Sequence, residues 1–143
     1  MDYKVIMVDA LRAYRQKEAA MVNIRARLDE IDAELKAIRS ANTDGIKVKS
    51  GIRSDRVLNL IVERDDLRVA YRLAKSHIER VNRGLQVLDE AERKVIFAFF
   101  IDRKAGVSTD VCELLHCEKS EAYRKKDAAL RKLTVACYGI TEL

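Results

Sequence analysis

Two long stretches repeat apolar residues at alternating steps of three and four, and this periodicity constrains the chain more than any other feature. In the first, Met7, Tyr14, Met21, Leu28 and Leu35 fall at heptad position a, and Ala10, Lys17, Ile24, Ile31 and Ile38 at d. In the second, a is Val57, Arg64, Tyr71, Ile78 and Leu85, and d is Leu60, Leu67, Ala74, Val81 and Leu88. Five heptads each exceed what a coiled-coil reading requires. Lys17 and Arg64 are the charged seam residues. Between the stretches, residues 40–54 hold Asn42, Gly45, Ser50 and Gly51, all turn formers, so a loop is expected there. Ser54 or Asp55 is a candidate cap for the second helix.

Antiparallel pairing sets a opposite d. The preferred register places Leu28 against Leu67, Ile24 against Tyr71, Ile38 against Val57 and Met7 against Leu88. It starts and ends both seams together and keeps Lys17 and Arg64 apart; a slip of seven residues is its competitor. Glu30 or Glu34 is expected to pair with Arg64. Such an arm would be about 48 Å long. Gly84 is expected to weaken the second helix and mark a bend. Basic residues cluster at the arm's tip, where Lys47, Lys49, Arg53 and Arg56 outnumber Asp44 and Asp55. Arg64, Arg68, Arg72 and Lys75 recur at helical spacing on the second helix. A solvated face explains both clusters; phosphate contact is the sharper alternative.

Asp89 and Glu92 form a candidate capping box before a short apolar helix ending near Ile101, which holds Phe97, Phe99 and Phe100. Gly106 breaks the chain. A short helix is expected from about Ser108 to Leu115, a turn over His116–Glu118, and a last helix from about Lys119 to Ala136. That spacing is the helix-turn-helix plan. Between Lys119 and Lys132 six basic residues face only Glu121 and Asp127. In a major groove, the first turns would bring Lys119, Ser120, Tyr123 and Arg124 to base edges, while Lys125, Lys126 and Arg131 would meet phosphates. A solvated basic face is the plainer alternative.

The absence of Pro, with only 5 Gly among 143 residues, argues against sandwiches and barrels. The expected fold is all-α: a long antiparallel coiled-coil hairpin over 1–88, then a helix-turn-helix domain over 89–143. The net charge of +5 mildly favours an anionic partner. Three Cys cannot form a fully paired disulfide framework, and Cys112 is expected to pack between the motif's helices without metal. No long apolar run or leader pattern is present, so neither a membrane span nor a signal peptide is expected. No phosphate loop, nucleophile elbow or HExxH string occurs, so no catalytic residue, cofactor or metal is expected.

The string Val111 to Leu133, VCELLHCEKSEAYRKKDAALRKL, resembles the sigma-factor region-four helix-turn-helix. Val111, Cys112, Leu115, Ala122, Ala129, Leu130 and Leu133 occupy that pattern's apolar and small places. His116 stands where Gly is usual, and Glu118 where Ser or Thr caps. With its arm, the whole chain resembles the ArpU/RinA-like transcriptional regulators of phages and mobile elements. The resemblance implies a sequence-specific regulator of late or transfer genes in the cytoplasm of a bacterial host. Double-stranded DNA is the expected partner, and the arm would set spacing, join a second copy of the chain as a homodimer, or engage RNA polymerase. Two alternatives are a small-terminase-like DNA-packaging subunit and a protein-interaction module whose basic helix binds an acidic partner.

Overall fold

The computed structural model describes residues 1–43, 50–103 and 105–142, and side chains outside 42–53 within them. Among the described residues the chain is all-α. Helices α1 (Tyr3–Arg12), α2 (Tyr14–Thr43) and α3 (Ser50–Val87) precede α4 (Glu90–Ile96), which continues as a π turn, Phe97–Ile101. Helices α5 (Val107–Leu115) and α6 (Lys119–Tyr138) complete the chain. None of the described helices is long and apolar enough to cross a membrane.

The contacts divide the chain into two units. One comprises Met1–Lys17 and Ser76–Leu143, the other Glu18–Lys75. The expected boundary between residues 88 and 89 is therefore displaced, because both ends of the predicted arm pack with the C-terminal helices. Tyr3 N–H donates to the Thr141 carbonyl at 2.9 Å, and the Tyr3 and Tyr138 rings lie 5.5 Å apart. Leu11, one place past the seam, is completely buried, since α1 packs against α6 and the π turn. The first helix also breaks at Ala13, whose N–H bonds back to Asp9 and Leu11.

In this first unit, Gly84 is buried within an unbroken α3. A Cβ there would stand 2.5 Å from Cys137 Sγ and 2.8 Å from Leu133 Cδ1. Gly84 thus marks a close approach of α3 and α6. The Asp89 capping box forms as expected: Asp89 accepts from Glu92 N–H at 2.8 Å, and Glu92 accepts from Asp89 N–H at 3.0 Å. The wider π turn splays the phenylalanines. Phe97 meets Tyr14 edge-on at 6.3 Å, Phe99 meets Tyr123 at 5.8 Å, and Phe100 is buried.

In the second unit α2 and α3 run antiparallel, joined by Arg27–Glu63, Arg56–Glu34 and Arg25–Tyr71 contacts. Ile31 and Leu60 are fully buried in its seam. Both helices extend into the expected loop, since α2 reaches Thr43 and α3 begins at Ser50. Lys47 and Lys49 lie outside the described residues, as does the side chain of Arg53. Arg56 is held by Glu34 at 2.6 Å.

The register differs from the preferred one. In the first unit His77 Nε2 lies 2.9 Å from the Ala10 carbonyl. A backbone acceptor allows little reach, so Ala10 sits beside Ile78 and not Leu85. In the second unit Arg27 binds Glu63 bidentately at 2.7 and 2.9 Å. These contacts fit the seven-residue slip. Helical side chains lean toward their N-terminus, so long pairs such as Arg25–Tyr71 converge in an antiparallel pair even when their backbones are offset. The physical reason lies beside the seam. The preferred register would set Glu34 against Glu63, whereas the slip pairs each with an arginine. Arg64 consequently meets neither Glu30 nor Glu34. It lies 3.8 Å from Asp65, and its Nε is buried without a hydrogen bond among the described residues.

Candidate nucleic-acid interface

The α5–α6 unit is set by its turn. His116 takes φ 52° and ψ 48°, the left-handed region, which His tolerates better than bulky or β-branched residues. The N–H groups of His116 and Cys117 both donate to the Cys112 carbonyl and so close the end of α5. Val95, Val111 and Ala122 are buried together, with Phe99, Cys112, Leu115 and Cys117 packed against them. Ala122, without a large side chain, lets α6 settle onto α5. Cys112 therefore occupies the apolar place expected of it. Glu118 is the N-cap in extended conformation, and its carboxylate makes no capping bond. The capping at this junction comes from backbone geometry alone.

The inner face of α6 is fixed by Ala122, Ala129, Leu130, Leu133 and Thr134, all buried. The expected base-reading and phosphate residues then separate into groups. Ser120, Arg124 and Arg131 share one outward stripe at helical spacing, with Asp127 between them. Arg124 is 77% exposed and reaches Glu121 at 3.4 Å, a surface pair that restrains it little. Val87, Ala128 and Val135 line an open groove of about 660 Å³ with Arg124, Asp127 and Arg131. Lys119 and Lys125 are exposed off this stripe.

Tyr123 and Lys126 are engaged elsewhere. Tyr123 packs on Phe99, and the Lys126 ammonium lies over both rings, 5.0 Å from Tyr123 and 5.5 Å from Phe99. Such cation–π contact holds Lys126 back from solvent. Lys132 binds Glu92 at 3.0 Å and ties α6 to α4. The Asp89 carboxylate is held below its usual range by the Glu92 N–H it accepts, aided by Lys132 nearby. Burial raises the Cys137 thiol above its ordinary value, and Arg80 and Arg83 partly offset this.

Residue types alone did not reveal that Asp127 falls inside the basic stripe. Its place, three after Arg124 and four before Arg131, was available from helical spacing. Among the described residues no three His, Cys, Asp or Glu side chains are grouped to hold a metal ion. No family model, curated protein or solved structure matches this chain.

Proposed function

We propose that the chain is a sequence-specific double-stranded DNA-binding regulator of phage or mobile-element transcription, without enzymatic activity, that lays α6 in the major groove. The observation that carries this reading is the Ser120, Arg124, Arg131 stripe. It projects from a helix that follows a three-residue turn and is backed by a packed shorter helix. A guanidinium on such a stripe can bond guanine O6 and N7 together, while a second basic group meets phosphate. Lys119 and Lys125 contribute positive charge at the edges. Tyr123 and Lys126 act mainly through Phe99, as supports for the start of α6. The helical arm sets spacing or meets RNA polymerase, and the working site is the bacterial cytoplasm.

The test compares Arg124→Ala with Arg131→Ala on a selected operator and a scrambled duplex at two salt concentrations. Arg124→Ala should weaken operator binding about five- to a hundred-fold, matching about 1–3 kcal/mol of base discrimination, and spare the scrambled duplex. Arg131→Ala should weaken both duplexes alike and flatten the salt slope by about one unit. Equal losses on both duplexes for Arg124→Ala would remove it from base reading. Absence of duplex binding by the unaltered chain would leave the acidic-partner alternative.

A further inference from the structure

Helix α3 carries a second apolar row on the side opposite its seam. Within Glu18–Lys75, Leu58, Val62, Val69 and Leu73 are 60%, 51%, 47% and 66% exposed. At 3.6 residues per turn they fall in a sector about 60° wide, roughly 150° from Leu60, Leu67 and Ala74. Single exposed aliphatics are ordinary, but four in one row over about 23 Å call for a partner.

The row is symmetric. It reads Leu-Val-Val-Leu from either end, with steps of four, seven and four. Two copies laid antiparallel about a two-fold axis between residues 65 and 66 would set Leu58 against the partner's Leu73 and Val62 against the partner's Val69. A two-fold contact needs this self-complementarity. The flanking charges choose the direction. Asp65 and Arg72 lie on one flank of the row and Asp66 on the other, all exposed, with Asp65 and Asp66 on either side of the axis. Antiparallel stacking turns Asp65 toward the partner's Arg72 on each side of the axis; parallel stacking would put like on like. Asp66 meets its own copy near the axis, which moderates the affinity. The corresponding face of α2 offers Val22, Ala26, Ala33 and Ala37, with far less surface to bury.

We propose that this outward row of α3 is a homodimerisation surface, occupied by the same row of a second copy in antiparallel orientation. The proposal specifies the surface of an arm-mediated dimer and does not depend on the DNA-binding reading. One helix face falls short of the roughly 800 Å² per partner of a standard interface, so the dimer belongs to the weak class.

Sedimentation equilibrium of the full chain from about 1 μM to 1 mM spans the affinities of that class. A reversible monomer–dimer equilibrium is expected. Val62→Glu and Val69→Glu should each raise the dimer Kd at least about tenfold, as loss of a central contact does. Val22→Glu on α2 should leave it unchanged. Asp65→Arg and Arg72→Glu should each weaken the dimer, and the two together on one chain should restore it, which only antiparallel pairing allows. Should a Glu variant fail to fold by circular dichroism, Leu58→Gln and Leu73→Gln carry the same expectation. A monomer throughout, a dimer indifferent to the α3 variants, a dimer abolished by Val22→Glu, or no restoration in the double variant would overturn the proposal.

Discussion

Replacing Gly84 by Ala opposes two effects of similar size, and the geometry decides the sign. In a helix interior Ala is favoured over Gly by about 1 kcal/mol, so α3 viewed alone should gain stability. The added Cβ, however, would lie 2.5 Å from Cys137 Sγ and 2.8 Å from Leu133 Cδ1. Leu133 is completely buried and Cys137 half-buried, so both must shift within a packed surface. Overpacking of this kind costs about 1–3 kcal/mol. The net expectation for Gly84→Ala is a loss of about 1 kcal/mol. Removing the nearer obstacle should reverse much of it. In a Cys137→Ala background the sulfur is gone, and Gly84→Ala should become neutral or stabilising by up to about 1 kcal/mol. The coupling between the two substitutions should then be about 1–2 kcal/mol, as expected for residues in contact. Urea unfolding of wild type, both single variants and the double variant measures it. A gain in stability for Gly84→Ala alone, with no coupling to Cys137, would show that α3 and α6 do not approach closely at this point.

Arg64→Met should stabilise the protein by about 1 kcal/mol in urea titrations, because it removes a buried Nε that lacks a hydrogen bond while keeping the apolar stem. His116→Val should cost about 1–2 kcal/mol, since a β-branched residue resists the left-handed region. His116→Gly should be close to neutral, and equal behaviour of the two variants would mean the turn adopts another conformation. Asp89→Ala should lower the melting temperature at neutral pH. Because the folded carboxylate titrates below its ordinary value of 3.8, that difference is fully present above it and fades as acid protonates the folded form. A difference unchanged down to the lowest pH at which the protein folds would mean the carboxylate is not the cap.

Local chemistry made some of this structure readable from the residues, and non-local packing hid the rest. The turn at His116–Glu118 and the Asp89–Glu92 box involve neighbours within five positions, so their side chains announce them. The seams were also readable: Lys17 alone of the heptad a and d residues named is exposed. The register was not, because apolar layers repeat every seven residues and cannot distinguish a slip of seven. The deciding information lay in Arg27, Glu34, Arg56 and Glu63, beside the seam, whose charges match in one register and clash in the other. The division of the chain was hidden for another reason. Leu11 sits next to the seam and reads as a seam neighbour; that it is covered by the C-terminal helices follows only once α6 is in place. Gly84 is the same case from the other side, a residue whose propensity suggests weakness and whose position requires the absence of a side chain.

The packing around α6 bears on how its outward stripe could act. Within the first unit, α6 contacts α1, α4 and α5, and Gly84 brings α3 against its C-terminal half. Thr134 Oγ1 donates to the Leu130 carbonyl at 2.7 Å, so even the polar group on its buried face is satisfied within the helix. Lys132 and Glu92 add a tie at the rim. A helix held from several sides cannot rotate about its axis without breaking packed contacts, so the face of α6 that carries Ser120, Arg124 and Arg131 is fixed by the fold. Preorganisation of that kind lowers the ordering cost of binding and converts small positional differences into discrimination. It also gives the N-terminal helix its place in the same unit: α1 packs against α6, and Lys4, Asp9 and Arg12 line a pocket with Asp127 and Arg131. On the proposed function, therefore, the first turns of the chain belong to the recognition apparatus through the orientation they give α6.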